Sequence, residues 1–251
     1  MSNDFYGEHT KRVFQKWQDD KLAMTAVQMA DNDPTLLPPP KYTKARADVV
    51  YDEPFRCAME FVTYQRIPGD VLEFGTLNGY TARKLAELMA ELGHPGRLML
   101  FDSFQGMPSV PEQGLDLNSY EIRAGAWQPG TPKSRIPGVE EAIHYHLDKV
   151  LPSRVVIVPG WYEDTVRFLP FQAPSIIHID CDLYASTRTV LDALLDRNLV
   201  QDGMILLMDD WQSSRGNLNF GSRAALRDWG VDVELWRPYG WHGMSFIVHR
   251  F

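Results

Sequence analysis

The residues with the clearest chemical potential are four aspartates at the ends of two apolar runs. In "SIIHIDCDLYAST" the run Ile176, Ile177, Ile179 is followed by Asp180 and Asp182, and "MILLMDDW" closes on Asp209 and Asp210. Aspartate is poor strand chemistry, and burying one without a partner is costly. If the two runs are neighbouring strands, their ends lie about 5 Å apart, and Asp180, Asp209 and Asp210 converge on one point. An oxygen-only ligand set without His or Cys favours Mg²⁺ or Ca²⁺, and Mg²⁺ keeps positions open for water or substrate. The plainer reading makes these acids caps for the helices that follow, where a negative charge meets the helix dipole. That accounts for one aspartate, such as Asp182, but not for three at two strand ends.

A second constellation lies upstream. "LEFGTLNGYTA" has Gly75 and Gly79 at a strand-to-helix turn, where the backbone can approach a ligand closely and the helix N-terminus offers free N–H groups. Thr81 sits near that N-terminus, placed to cap it or to touch an anionic group. The pattern is not the dinucleotide G-x-G-x-x-G, because Leu77 stands two residues after Gly75. Asp102, at the end of "RLMLFD", is placed to accept hydrogen bonds from both hydroxyls of a ribose. Glycine turn and acid together point to a nucleoside cofactor. The histidines carry less. His178 alternates with isoleucines and reads as a hydrogen-bonded core residue, and His144 and His146 sit on an exposed helix face. His242, in "YGWHGM", falls at a hairpin turn within reach of the site.

The elements that position these residues alternate. Helical spacing of Phe55, Met59 and Val62 predicts an amphipathic helix, followed by a strand at 70–75, a helix stopped by Gly93, and a strand at 97–102. Residues 103–137 are rich in Pro, Gly and Ser and too long for a plain connection, so a lid over the substrate is expected there. A helix from Val139, a strand at 154–160, the "SIIHID" strand, a helix from Ala185 and the "GMILLMDD" strand complete the alternation. A helix over 221–229 and a terminal hairpin follow. Such a chain builds a parallel sheet covered on both faces, whose ligands bind at the carboxyl ends of the strands. Glu73, Asp102, Asp180 and Asp209 all fall at such ends. Residues 1–49, which include the helix-breaking "LLPPPKY", form an accessory segment, and 50–251 form the main domain.

These motifs resemble the metal-dependent class I S-adenosylmethionine O-methyltransferases. "EFGTLNGYTA" is similar to the glycine motif of catechol O-methyltransferase. "FDSFQGMP", "PGWYEDT", "HIDCDLYAST" and "MDDW" are closer to the macrocin O-methyltransferase family, which acts on antibiotic sugars. The resemblance covers about residues 50–230 and implies a Rossmann-like, doubly wound, mostly parallel seven-stranded sheet with a C-terminal antiparallel hairpin. It also implies that Glu73, Gly75 and Thr81 hold the methionine end of S-adenosylmethionine and that Asp102 holds its ribose. Ser103 and Phe104 would flank the ribose or adenine, Gly160 and Trp161 would bracket the adenine, and Asp180, Asp209 and Asp210 would hold Mg²⁺. The transferred group is then a methyl, moved to a hydroxyl of a small sugar or phenolic acceptor. The catechol-type lysine base is absent, since Leu183 occupies its position. The resemblance leaves Asp180 as ligand and base, with His242 in reserve.

Bulk properties narrow the partners. The formal net charge of -8 argues against nucleic acid, which needs clustered Lys and Arg. No apolar run approaches the roughly 18 residues of a spanning helix, and Cys57 and Cys181 alone make no disulfide framework. A cytoplasmic protein is expected, and a homo-oligomer is compatible with the chain. Two rival classes share some features: a glycosyltransferase using D-x-D, which explains neither Asp102 nor the glycine turn, and a non-catalytic nucleotide-binding protein, which gives four intact acids no purpose.

Overall fold

The computed structural model describes residues 51–110, 114–240 and 242–250, so the expected accessory segment 1–49 lies outside the described residues. Helix α1 (Asp52–Tyr64) opens the described chain, burying Phe55, Ala58, Met59 and Val62 on one face. Burying each of the larger side chains contributes about 1.5–3 kcal/mol. Asp52 and Glu53 sit in its first turn, where the helix dipole favours them. Then come β1 (Val71–Phe74), α2 (Tyr80–Glu91), β2 (Leu98–Asp102), α3 (Val139–Asp148), β3 (Val155–Pro159) and β4 (Ile176–Ile179). The chain finishes with α4 (Tyr184–Asp196), β5 (Ile205–Met208), α5 (Gly221–Arg227), β6 (Asp232–Tyr239) and β7 (Gly243–His249).

The seven strands form one sheet in the order β3-β2-β1-β4-β5-β7-β6. Strands β1 to β5 pair in parallel, and the β6–β7 hairpin joins β5 antiparallel through β7. The expected neighbours β4 and β5 do pair, with Ile179 opposite Met208. Strand order reverses between β1 and β4, which places the topological switch point between the glycine turn and Asp180.

Every residue of β1, β4 and β5 is buried, as a sheet covered on both sides requires. Alternation divides the core in two. Leu72, Phe74, Ile177, Ile179, Leu206 and Met208 face α4 and α5, whereas Val71, Ile176, Ile205 and Leu207 face α1, α2 and α3. Glu73 and His178 share the parity of Val71 and Ile176 and are direct cross-strand partners. They point into the second core layer together. No helix among the described residues is long and apolar enough to cross a membrane.

Candidate cofactor and carboxylate site

A cavity of about 340 Å³ opens along the carboxyl ends of β1 to β5. At one end it is lined by Gly75, Thr76, Leu77 and Thr81 of the glycine turn and by Asp102 and Ser103 after β2. Gly160 and Trp161 after β3 complete that end, and Asp180, Asp182, Asp209 and Asp210 line the other. The site residues expected from sequence therefore share one cavity, with three exceptions: Glu73, Phe104 and His242 are not among its lining residues.

Gly75 is required by space as well as by its φ of 97°. A Cβ there would stand 2.0 Å from the carbonyl oxygen of Asp180, so β1 and β4 meet backbone to backbone where they leave the sheet. Asp102 locks the turn. Its Oδ2 accepts the N–H groups of Thr76 (2.8 Å) and Leu77 (2.7 Å), and its Oδ1 accepts that of Phe104 (2.6 Å). A carboxylate has about four lone-pair sites, so Asp102 holds the turn and still has capacity for a ligand. Phe104 offers this backbone amide and packs its ring against the core layer under α2 and α3.

Glu73 is a correction to the sequence reading. It is fully buried, and its Oε2 accepts from His178 Nδ1 at 3.1 Å. Strand parity turns it away from the cavity, toward α1. His178 is a core histidine as expected, but a charged one. Burial disfavours its cation, yet Asp209 and Glu73 outweigh that and raise its pKa to about 10.

The aspartates divide differently from the expected triad. Asp180, Asp182 and Asp210 each bring one carboxylate oxygen within 4.8 Å of the others. Asp209 is drawn to the opposite side. Its Oδ1 lies 3.2 Å from His242 Nε2 and 3.8 Å from His178 Nε2, and its Oδ2 accepts from Tyr51 Oη at 3.2 Å. Burial works against the Asp209 anion, but His242 and His178 hold its carboxyl well below the usual range. The reason is parity again: Asp209 continues the face of Ile205 and Leu207, which is the face of His178. Asp182, expected as a helix cap, caps nothing; α4 receives no cap from its own N-terminal residue Leu183. With a φ of 58°, tolerated by aspartate, it joins the cluster instead. Burial and then the charges of Asp209 and Asp210 push the Asp180 carboxyl well up, burial and then Asp210 and Asp180 do the same to Asp182, and burial with Asp209 pushes Asp210 up.

His242 is buried beside Asp209 and Tyr51 and reaches the cavity through those two side chains. Trp161, expected to bracket the adenine, lines the cavity. Sequence reasoning missed Tyr51, which lines the cavity and touches Asp209. It also missed Asp116, whose carboxylate caps α4 in place of Asp182.

The model of the macrocin O-methyltransferase family, TylF, matches residues 14–229. The chain belongs to that family. The match begins within the segment set apart as accessory and ends before β6. Among curated relatives, the 8-demethyl-8-(2,3-dimethoxy-alpha-L-rhamnosyl)-tetracenomycin-C 4'-O-methyltransferase of Streptomyces olivaceus is 27% identical over 61% of this chain and 57% of its own. The demethyldecarbamoylnovobiocin O-methyltransferase of Streptomyces niveus is 27% identical over 63% and 59%. The matches thus span less than two thirds of these relatives' length. Among solved structures, the O-methyltransferase NovP superposes with a TM-score of 0.62, at 23% identity over 79% of each chain. The calicheamicin methyltransferase CalS11 gives 0.61, at 20% identity over 92% of each. These likenesses support the class I methyltransferase fold.

Proposed function

We propose that this protein is an S-adenosylmethionine-dependent O-methyltransferase that uses a divalent cation, Mg²⁺ by preference, to methylate a hydroxyl of a small sugar or phenolic acceptor. The observation that carries the reading is one cavity joining a glycine turn and ribose-type acid at one end to a cluster of carboxylates at the other. Membership of the macrocin O-methyltransferase family supports the methyl as the transferred group, and the names of its relatives support sugar or phenolic acceptors. The family match gives the D-x-D glycosyltransferase alternative no support.

The donor set fits a cation. Asp180, Asp182 and Asp210 gather three carboxylates whose proton affinities are raised by burial and by neighbouring aspartates, Asp209 among them, a cost that a divalent charge offsets. These three would hold it, with Asp209 beside them anchored by His242 and His178. When bound, the cation supplies Lewis-acid charge that acidifies an acceptor hydroxyl and fixes its place. Three carboxylates exceed one divalent charge, so the site keeps a basic oxygen. We assign the hydroxyl proton to Asp180, whose backbone lies against Gly75 at the meeting of the two halves. Thr81 orients the cofactor's methionine end, Asp102 its ribose, and Gly160 with Trp161 its adenine. Enclosing both partners in one cavity contributes through proximity.

The test is a methyl-transfer assay with S-adenosylmethionine and a panel of deoxysugar and phenolic acceptors, run in EDTA and after addition of Mg²⁺. Turnover that needs Mg²⁺ is expected. Full activity in chelated enzyme would defeat the cation reading, and lack of S-adenosylmethionine binding would defeat the whole.

A further inference from the structure

Two acids of the expected lid grip the turns that carry the aspartates, and neither lines the cavity. Asp116 is 4% exposed. Its Oδ1 accepts the N–H of Tyr184 at 2.6 Å and its Oδ2 that of Ala185 at 2.9 Å. These are first-turn amides of α4, two and three residues past Asp182, so a distant segment supplies the cap that Leu183 cannot.

Glu121 does the same for the other turn. Its Oε1 accepts the N–H of Ser214 at 2.6 Å and its Oε2 the Ser214 hydroxyl at 2.5 Å, while the Tyr120 N–H donates to Ser214 Oγ at 3.1 Å. Ser214 and Arg215 are left-handed, with φ of 51° and 58°, a conformation that L-residues resist without outside support. The Arg215 guanidinium lies over the Tyr120 ring at 4.3 Å, adding a second link to the same segment. The next residue back, Ser213, hydrogen-bonds Asp210 Oδ1 at 3.2 Å. One line of contacts therefore runs from Glu121 through Ser214 and Ser213 to Asp210, and another from Asp116 through the start of α4 to Asp182.

We propose that Asp116 and Glu121 are positioning residues of the carboxylate site, each fixing one of the two turns that present its aspartates, so that cation affinity depends on this segment being docked. The inference rests on the cation reading above. Direct partners of a metal ligand typically change affinity about 10–100-fold when lost; Asp116 and Glu121 act through the turns instead, so the lower end of that range is expected.

The experiment is a Mn²⁺ titration followed by electron paramagnetic resonance on the full chain, without cofactor or acceptor, with circular dichroism confirming the fold of each variant. Asp116→Ala and Glu121→Ala are expected to weaken Mn²⁺ binding by about tenfold or more. Glu121→Gln, whose amide can still accept from the Ser214 N–H and donate to its hydroxyl, should stay close to wild type. Should Asp116→Ala fail to fold, the Glu121 pair decides alone. Wild-type protein that binds no Mn²⁺ overturns the cation reading and this one with it. Wild-type binding that both folded alanine variants retain overturns this inference only.

Discussion

At the scale of single residues, Asp102 holds the glycine turn and, on the proposed reading, also binds the ribose. Asp102→Ala is expected to weaken S-adenosylmethionine binding by about 1.5–3 kcal/mol, the worth of hydrogen bonds to a charged group; isothermal calorimetry would detect it. Asp210→Asn keeps the side-chain shape while removing one charge of the cluster. Mn²⁺ affinity should fall by about tenfold or more in the same titration, with S-adenosylmethionine affinity unchanged by calorimetry. That the aspartates gather at neighbouring strand ends was legible in the sequence, because acids are poor strand residues and two apolar runs each end in a pair of them. Which aspartates converge was harder. Counting alternate positions back from Asp209 through Leu207, and from His178 through Ile176, would have put Asp209 and His178 on one face and suggested their pairing. The same count removes Glu73 from the cofactor. Asp182 leaves the regular pattern through a positive φ, and Asp116 meets α4 across 68 residues; local sequence carries no signal for either contact.

At the scale of elements, strands, helices and the closing hairpin were legible because the apolar periods change cleanly, with Gly93 marking the end of α2. The expected lid was legible only as a long connection. Its 3-10 turn at Asp116–Asn118 and the helical turn Tyr120–Arg123 depend on tertiary partners and have no periodicity of their own. The link between α2 and β2 yields a prediction at this scale. His94 is buried there, with Nδ1 accepting the Gly96 N–H at 3.2 Å and Nε2 placed 3.0 Å from Ser175 Oγ. Burial, and then the charge of Arg154, hold its pKa below the ordinary value of about 6.5. Below that pH the unfolded chain binds the proton more readily than the native one. This contribution is therefore present above about pH 6.5 and declines as the pH falls through it, opposite in sign to that of His178 and the raised aspartates. It is read as a difference between wild type and His94→Gln in urea unfolding at about pH 7.5 and about pH 5.5. Going to the lower pH, wild type should lose more stability, or gain less, than His94→Gln.

At the scale of the whole molecule, the sheet order assigns cofactor elements to one side of the switch point and carboxylate elements to the other, with the backbones of Gly75 and Asp180 touching between them. The segment bearing Asp116 and Glu121 leaves the cofactor side after β2 and docks on the carboxylate side, so it bridges the two. Trypsin offers a direct measurement, because Arg123 is exposed within that segment. Adding Mn²⁺ alone should slow cleavage after Arg123, and Glu121→Ala should speed it; a rate indifferent to Mn²⁺ would contradict this. The reason is reciprocity: a docked segment that strengthens cation binding must itself be strengthened by the cation, by the same factor. On the proposed cation reading, the clasp would tie the supply of free Mg²⁺ to how firmly this segment sits on the turns of Asp182 and Asp210. Starved of the ion, the segment would leave those turns readily; in ample ion it would stay seated on them.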